Sequence, residues 1–147
     1  MYVSDIVIPT RFLTTSAQLI FCITLLQDRA PYVLTALPKA SRNVYTDDYA
    51  SFDAEFQAAL VLAIICGLFE VSSMVLVGST VLLNRHSFIQ TLLHFSGVVS
   101  IMVFGLNGDS HFDYFWYILF VFCIIPSLLE VGALMYLHYT KVHGNYF

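Results

Sequence analysis

The chain has 147 residues, 59% of them hydrophobic, 16% aromatic and only 11% charged, with a formal net charge of −4. A water-soluble domain carries about a quarter charged residues, so the apolar excess here has to be solvated by lipid. At about 20 residues per crossing the chain holds at most five or six spans and no soluble catalytic domain, and six Lys/Arg against ten Asp/Glu exclude a nucleic-acid binder.

The first predicted span covers residues 6–26 and contains Pro9, Arg11, a Thr14-Thr15-Ser16 cluster and Gln18. Pro9 suits a first helical turn, from which Arg11 can snorkel to the headgroups as an interfacial anchor. The stretch before it has no basic region, so a cleaved signal peptide is not expected and the span serves as its own insertion signal. Residues 27–55 collect Pro31, Pro38, Lys39, Arg42 and the acids Asp47, Asp48, Asp53 and Glu55, which predicts an extramembrane loop with a short interfacial helix starting near Thr46.

The second span is predicted over residues 56–83, interrupted by Glu70, and Asn84-Arg85-His86-Ser87 then reads as a tight helical hairpin. The third span, 88–106, carries Gln90 and His94 and ends at Asn107-Gly108-Asp109-Ser110; the fourth, 114–138, contains Pro126 and Glu130. The predicted fold is an all-α membrane protein, a single four-helix transmembrane bundle over residues 1–147, with spans two to four as antiparallel neighbours. Trp116 and Tyr117 fall at one interface of the fourth span and Tyr136 and Tyr139 at the other. Lys and Arg are balanced between the two sides, but Arg11, Arg85 and Lys141 sit on short segments, which favours cytoplasmic termini.

Glu70, His94 and Glu130 each cost about 2.5 to 3.5 kcal/mol at bilayer depth unless partnered. Each lies on a seam. Ala59, Ala63 and Gly67 share the face of Glu70 and let a neighbouring helix approach closely; Gln90, His94 and Gly97 share another, and Cys123, Pro126, Ser127, Glu130 and Ala133 a third. Helical rise places His94 and Glu130 at similar depth and Glu70 nearer the midplane, which predicts a His94–Glu130 pair, with Glu70 alone unless it is protonated or bonded to a neighbour such as Ser100 or to a partner chain. Pro126 also deprives the Phe122 carbonyl of its helical donor. The seams read as interhelical adhesion, as a face for a partner protein, or as a proton or ion path.

Catalytic and nucleotide-binding fingerprints are missing, so neither an enzyme nor a small-molecule substrate is expected. Cys22, Cys66 and Cys123 fall in apolar runs without a C-x-x-C pair, and the spacing of His138 and His143 is a weak metal signal, so no cofactor or metal is expected either.

Pro9-x-Arg11-Phe12-Leu13-Thr14, Ile23-Thr24-Leu25, Leu37-Pro38, Ala58-Ala59-Leu60 and Gly67-Leu68-Phe69 follow one another along the chain, then Asn84, His94, Trp116-Tyr117-Ile118, Phe120-Val121-Phe122-Cys123, Pro126 and Glu130. In this order and spacing they resemble the transmembrane protein 107 family. The resemblance implies a four-span protein of the ciliary transition zone with cytoplasmic termini, a member of a Meckel-type or tectonic-like complex. Its partners would be membrane lipids and other transmembrane proteins of that complex, and its role would be in the diffusion barrier that controls ciliary membrane composition. The residues themselves leave open an accessory subunit of another large membrane assembly, such as an organellar respiratory complex, and a small proton or ion conductor.

Overall fold

A computed structural model describes residues 3–39, 42–76, 84–106 and 112–143. These are helical almost throughout: α1 (Val3–Gln27), α2 (Ala30–Ala36), α3 (Asp47–Leu76), α4 (Asn84–Leu106), α5 (Phe112–Leu119) and α6 (Ile125–His143), with one π-helical turn, Phe120–Ile124, fusing α5 to α6. Four helical segments are long and apolar enough to cross a membrane: Ile6–Gln27, Asp47–Leu76, Arg85–Leu106 and Tyr114–Lys141. The all-α, four-span architecture agrees with the composition.

Boundaries differ from the hydropathy pattern where capping chemistry overrides it. α3 begins nine residues before the apolar run at Phe56, because Thr46 Oγ1 accepts the Tyr49 amide at 3.3 Å and Asp47 and Asp48 complement the positive helix terminus. At 1.5 Å per residue a helix of 30 residues is about 45 Å long, against about 30 Å of hydrocarbon, so the acidic first turns belong to the same helix as the span. Asn84 to Ser87 form the first turn of α4 rather than a hairpin, and the expected end of span two (77–83) and the break at 107–110 lie outside the described residues.

The packing order also departs from the chain order. α1 packs along both α3 and α4, and the fourth span contacts α3 and α4 from the other side. The two diagonals of the bundle are therefore α1 against span four and α3 against α4. Spans two and three, expected as hairpin neighbours, face each other across the centre; the seven residues 77–83 can reach about 23 Å, enough for that crossing.

The end of the bundle that carries α2 is closed by rings. Phe56 meets Phe115 edge-on with centroids 4.9 Å apart, Phe104 lies 5.4 Å from Phe115, and Tyr32 of α2 stacks on Phe104 at 5.7 Å. Such ring pairs contribute about 0.5–1.5 kcal/mol each beyond area burial. Val33 buries α2 against this cluster, and Leu37, just past the helix end, is also buried. Arg29 forks onto Asp53, Nε to Oδ1 at 2.6 Å and Nη2 to Oδ2 at 3.1 Å, and that hydrogen bond raises the guanidinium above its ordinary range. The segment 27–55 is thus a built cap with its own helix. Tyr49 and Phe52 are half-buried in it, while Tyr45 stands exposed.

Close approach at the centre depends on one glycine. A Cβ on Gly97 would lie 2.8 Å from Gln18 Oε1 and 2.9 Å from Phe122 Cβ, whereas a Cβ on Gly132 would meet nothing within 4 Å. Gly97→Ala is expected to destabilise the bundle by about 1–3 kcal/mol and Gly132→Ala to change stability by less than about 1 kcal/mol. Denaturant titration of the two purified variants in detergent micelles measures both.

Candidate functional site

Two carboxylates organise the interior. The side chains of Glu70 on α3 and Glu130 on α6 are inaccessible to solvent, as is Arg11 on α1; His94 on α4 is 2% exposed. The carboxylates are held in mirrored fashion. Ser127, three residues before Glu130, donates to Glu70 Oε1 at 2.8 Å, and Ser73, three residues after Glu70, donates to Glu130 Oε1 through a very short contact. Residues three apart lie on one helix face, so Glu-x-x-Ser on α3 meets Ser-x-x-Glu on α6, which runs in the same direction: Glu70 faces Ser127 and, one turn on, Ser73 faces Glu130. Ser73 Oγ also lies 2.9 Å from the Glu70 carbonyl.

The second oxygen of each acid crosses a diagonal. Glu70 Oε2 lies 2.5 Å from His94 Nε2. Glu130 Oε2 accepts from Arg11 Nη2 at 2.6 Å and lies 2.8 Å from His86 Nε2. Arg11 Nη1 reaches Ser87 Oγ at 3.4 Å, and the Arg11 carbonyl accepts from Thr15. Gln18 crosses the same diagonal as Arg11: its Nε2 donates to the Phe122 carbonyl at 2.8 Å and lies 3.2 Å from Cys123 Sγ, and its Oε1 lies 2.8 Å from His94 Nδ1. Gln90 Nε2 donates to the Pro126 carbonyl at 2.8 Å. Diagonal helices are too far apart for short side chains, which is why the diagonal links are made by Arg11, Gln18, Glu70, His94 and Glu130, whereas lateral neighbours are joined by serines as well as by His86 and Gln90.

The π turn supplies one acceptor. Pro126 has no amide hydrogen, so the Phe122 carbonyl four residues earlier lacks an α-helical donor. The backbone widens, with Ile125 N–H bonded to the Phe120 carbonyl, and Gln18 takes the Phe122 oxygen. A broken helix at membrane depth persists only where such groups are satisfied by neighbours. Arg11 Nε and Gln90 Oε1 are buried without a hydrogen-bond partner among the described residues.

Three expectations need correction. His94 pairs with Glu70 and not with Glu130: α4 starts at Asn84, which puts His94 about 15 Å rather than about 9 Å from the helix N-terminus, level with Glu70. Glu70 is bonded to His94 and Ser127, not alone and not to Ser100. Arg11 is not an interfacial anchor, because in the bundle its guanidinium can neutralise Glu130, an interaction stronger at low dielectric than headgroup contact. The small-residue face behaves as packing. Ala59 and Ala63 are buried, and a Cβ on Gly67 would come within 3.2 Å of Leu19. At the rim Trp116 Nε1 donates to Glu55 at 3.2 Å, and Tyr117 is exposed. Ser73, Ser127, Gln18 and His86 were not singled out as partners; the mirrored Glu-x-x-Ser and Ser-x-x-Glu spacing was the available signal.

The polar centre encloses a cavity of about 10 Å³, bordered by Thr15, Gln18, Cys22, Glu70, His94 and Cys123, room for about one water. Among the described residues no group of three or more His, Cys, Asp or Glu side chains is arranged to hold a metal.

Fold and site together define a small multi-pass membrane protein whose ionisable side chains are used for helix-to-helix clasping. The profile of the TMEM107 family, described as a transmembrane protein, matches residues 7–134. The chain belongs to that family. It is similar to Transmembrane protein 107 of Xenopus laevis, 29% identical over 126 residues that cover 84% of this chain and 85% of the relative. No solved structure matches it.

Removing one partner of a buried ion pair leaves an uncompensated charge, at about 3–5 kcal/mol, whereas removing both leaves none. Glu130→Ala and Arg11→Ala are each expected to unfold the bundle at lower denaturant. The double variant Arg11→Leu/Glu130→Leu is expected to lose less than the sum of the single losses, as read by a double-mutant cycle in micelles.

Proposed function

We propose that this protein is a non-enzymatic scaffold of the ciliary transition zone membrane, with both termini cytoplasmic, that helps assemble a Meckel-type complex of transmembrane proteins and the barrier controlling ciliary membrane composition and ciliogenesis. Membership of the TMEM107 family over residues 7–134 carries this reading. The chemistry of the interior supports it. Among the described residues Arg11, Glu70, His94 and Glu130 are each bonded to another helix, and the central cavity of about 10 Å³ is bordered by packed side chains; a conductor would need a continuous polar lining. Adhesion is therefore favoured over conduction for Glu70, His94 and Glu130.

Orientation rests on charge placement. Arg85 in the first turn of α4 and Lys141 near the end of α6 flank the side assigned to the cytoplasm, while residues 107–113 on the opposite side hold neither Lys nor Arg. The bundle offers partners its lipid-facing sides and the cap formed by α2 and the first turns of α3. A tagged copy expressed in a ciliated cell is expected to concentrate at the base of the cilium. Uniform plasma-membrane signal, or mitochondrial signal as for a respiratory subunit, would overturn the proposal.

A further inference from the structure

A second cavity, of about 270 Å³, lies apart from the clasp, between α1 and α4 and against α2. Phe21 and Thr24 of α1, Tyr32 of α2 and Ile101 and Gly105 of α4 border it, and Leu106, 81% exposed, stands at its mouth. Its volume equals that of about nine water molecules, each of which would need two to four polar partners to hold its place. The hydroxyls of Thr24 and Tyr32 are too few for that, so the walls favour hydrocarbon.

We infer that this cavity binds the hydroxyl end of a sterol. The spans Ile6–Gln27 and Arg85–Leu106 end on the side of the bundle that carries α2, so Tyr32, just past Gln27, sits at the membrane boundary, a depth that suits an amphipathic ring. Phe21 and Ile101 lie about 9 Å and about 8 Å below those ends. The cavity therefore has its polar groups at the boundary and apolar walls beneath. Tyr32 is held by its stack on Phe104, with centroids 5.7 Å apart, and its hydroxyl makes no hydrogen bond among the described residues. Thr24 Oγ1 donates to the Ile20 carbonyl at 2.9 Å and keeps lone pairs with which to accept. A ligand alcohol in this space can accept from Tyr32 and donate to Thr24.

Charge selects among lipids. A glycerophospholipid brings a phosphate and two esters to this depth before its chains begin. Among the described residues that border the cavity none is charged, and Arg29, the cation nearest Tyr32 in sequence, is committed to Asp53 and to the Leu26 carbonyl. A sterol instead joins one neutral hydroxyl directly to a rigid hydrocarbon body, which has little conformational freedom to lose on binding. Gly105 leaves the space open, since a Cβ there would meet only the Tyr32 hydroxyl oxygen within 4 Å, at 3.6 Å. The site is a property of the bundle, whichever cell membrane carries it.

The full chain in phosphatidylcholine vesicles, exposed to a cholesterol analogue that carries a photoreactive diazirine, provides the test. Wild type is expected to label saturably at the residues bordering the cavity. Excess unlabelled cholesterol is expected to displace most of that label and excess diacylglycerol none, a readout that needs no variant to fold. Gly105→Leu fills the space beside the hydroxyl, and the saturable label is expected to be lost. Tyr32→Phe keeps the stacked ring and removes only the hydroxyl, so competition by cholesterol is expected to weaken by about two- to tenfold. Label that never saturates or spreads over the lipid-facing sides of all four spans, displacement by diacylglycerol as readily as by cholesterol, cross-linking of the cavity to a second copy of the chain, or Gly105→Leu labelled like wild type would each refute the sterol site.

Discussion

Charge neutrality in hydrocarbon is the constraint on which the rest of the bundle depends. A carboxylate removed from water needs a cation, a proton or several strong donors, because the attraction that replaces hydration is large only at short range and low dielectric. Here two acids meet that requirement differently. Glu130 has a permanent counter-ion in Arg11 at 2.6 Å, and Glu70 has an imidazole at 2.5 Å. Both also accept a serine hydroxyl from the facing helix. Since Glu70 and Ser73 on α3 engage Ser127 and Glu130 on α6, sliding either helix by one residue would rotate its pair by about 100° and break both bonds together. Apolar packing between helices has no comparable penalty for slippage, because lipid tails solvate leucine as well as a neighbouring helix does.

The irregular backbone of the fourth span belongs to the same arrangement. A proline within a span would ordinarily leave a carbonyl unsatisfied in lipid. Here the π turn and Gln18 answer that defect. Gly97 gives them room, since a side chain there would collide with both Gln18 and Phe122. Pro126, Gln18, Gly97 and His94 are thus one unit spread over three spans. Substituting any of them alters the setting of the imidazole that faces Glu70.

Much of this was legible in the sequence, in proportion to how local the physics is. Four spans follow from composition, and the presence of seams follows from Glu70, His94 and Glu130 at bilayer depth with small residues beside them. The freed Phe122 carbonyl follows from Pro126 alone. Pairing was misread because depth was counted from the ends of apolar runs, and polar residues extend two of the helices: Asp47 to Glu55 lengthen α3, and Asn84 to Ser87 lengthen α4. Arg11 was assigned to the headgroups because snorkelling needs no partner and is the default for a lone arginine near a span end. Its ion pair with Glu130 joins residues 119 apart in sequence, and no periodicity encodes such a contact. The diagonal placement of spans two and three was hidden for the same reason, since chain proximity suggests a hairpin and only the side-chain links show the crossing.

The division of labour between inside and outside bears on how such a protein can serve as a scaffold. The described membrane-depth surface is mainly aliphatic and aromatic, with Leu13, Ile20, Tyr117, Leu128 and Met135 each more than 60% exposed. Hydrophobicity gives such a surface no preference for a protein partner over lipid, so lateral contacts there must draw on shape and close approach. The cap is different. It is anchored to the spans by the ring cluster of Tyr32, Phe56, Phe104 and Phe115 and by the Arg29–Asp53 pair. It carries polar and acidic groups in water, where electrostatic complementarity can select among partners. In the proposed scaffold role, recognition at the cap with adhesion along the spans would let a chain with little mass outside the membrane hold a place in a larger assembly, and the internal clasp would fix the angle at which its helices meet their neighbours.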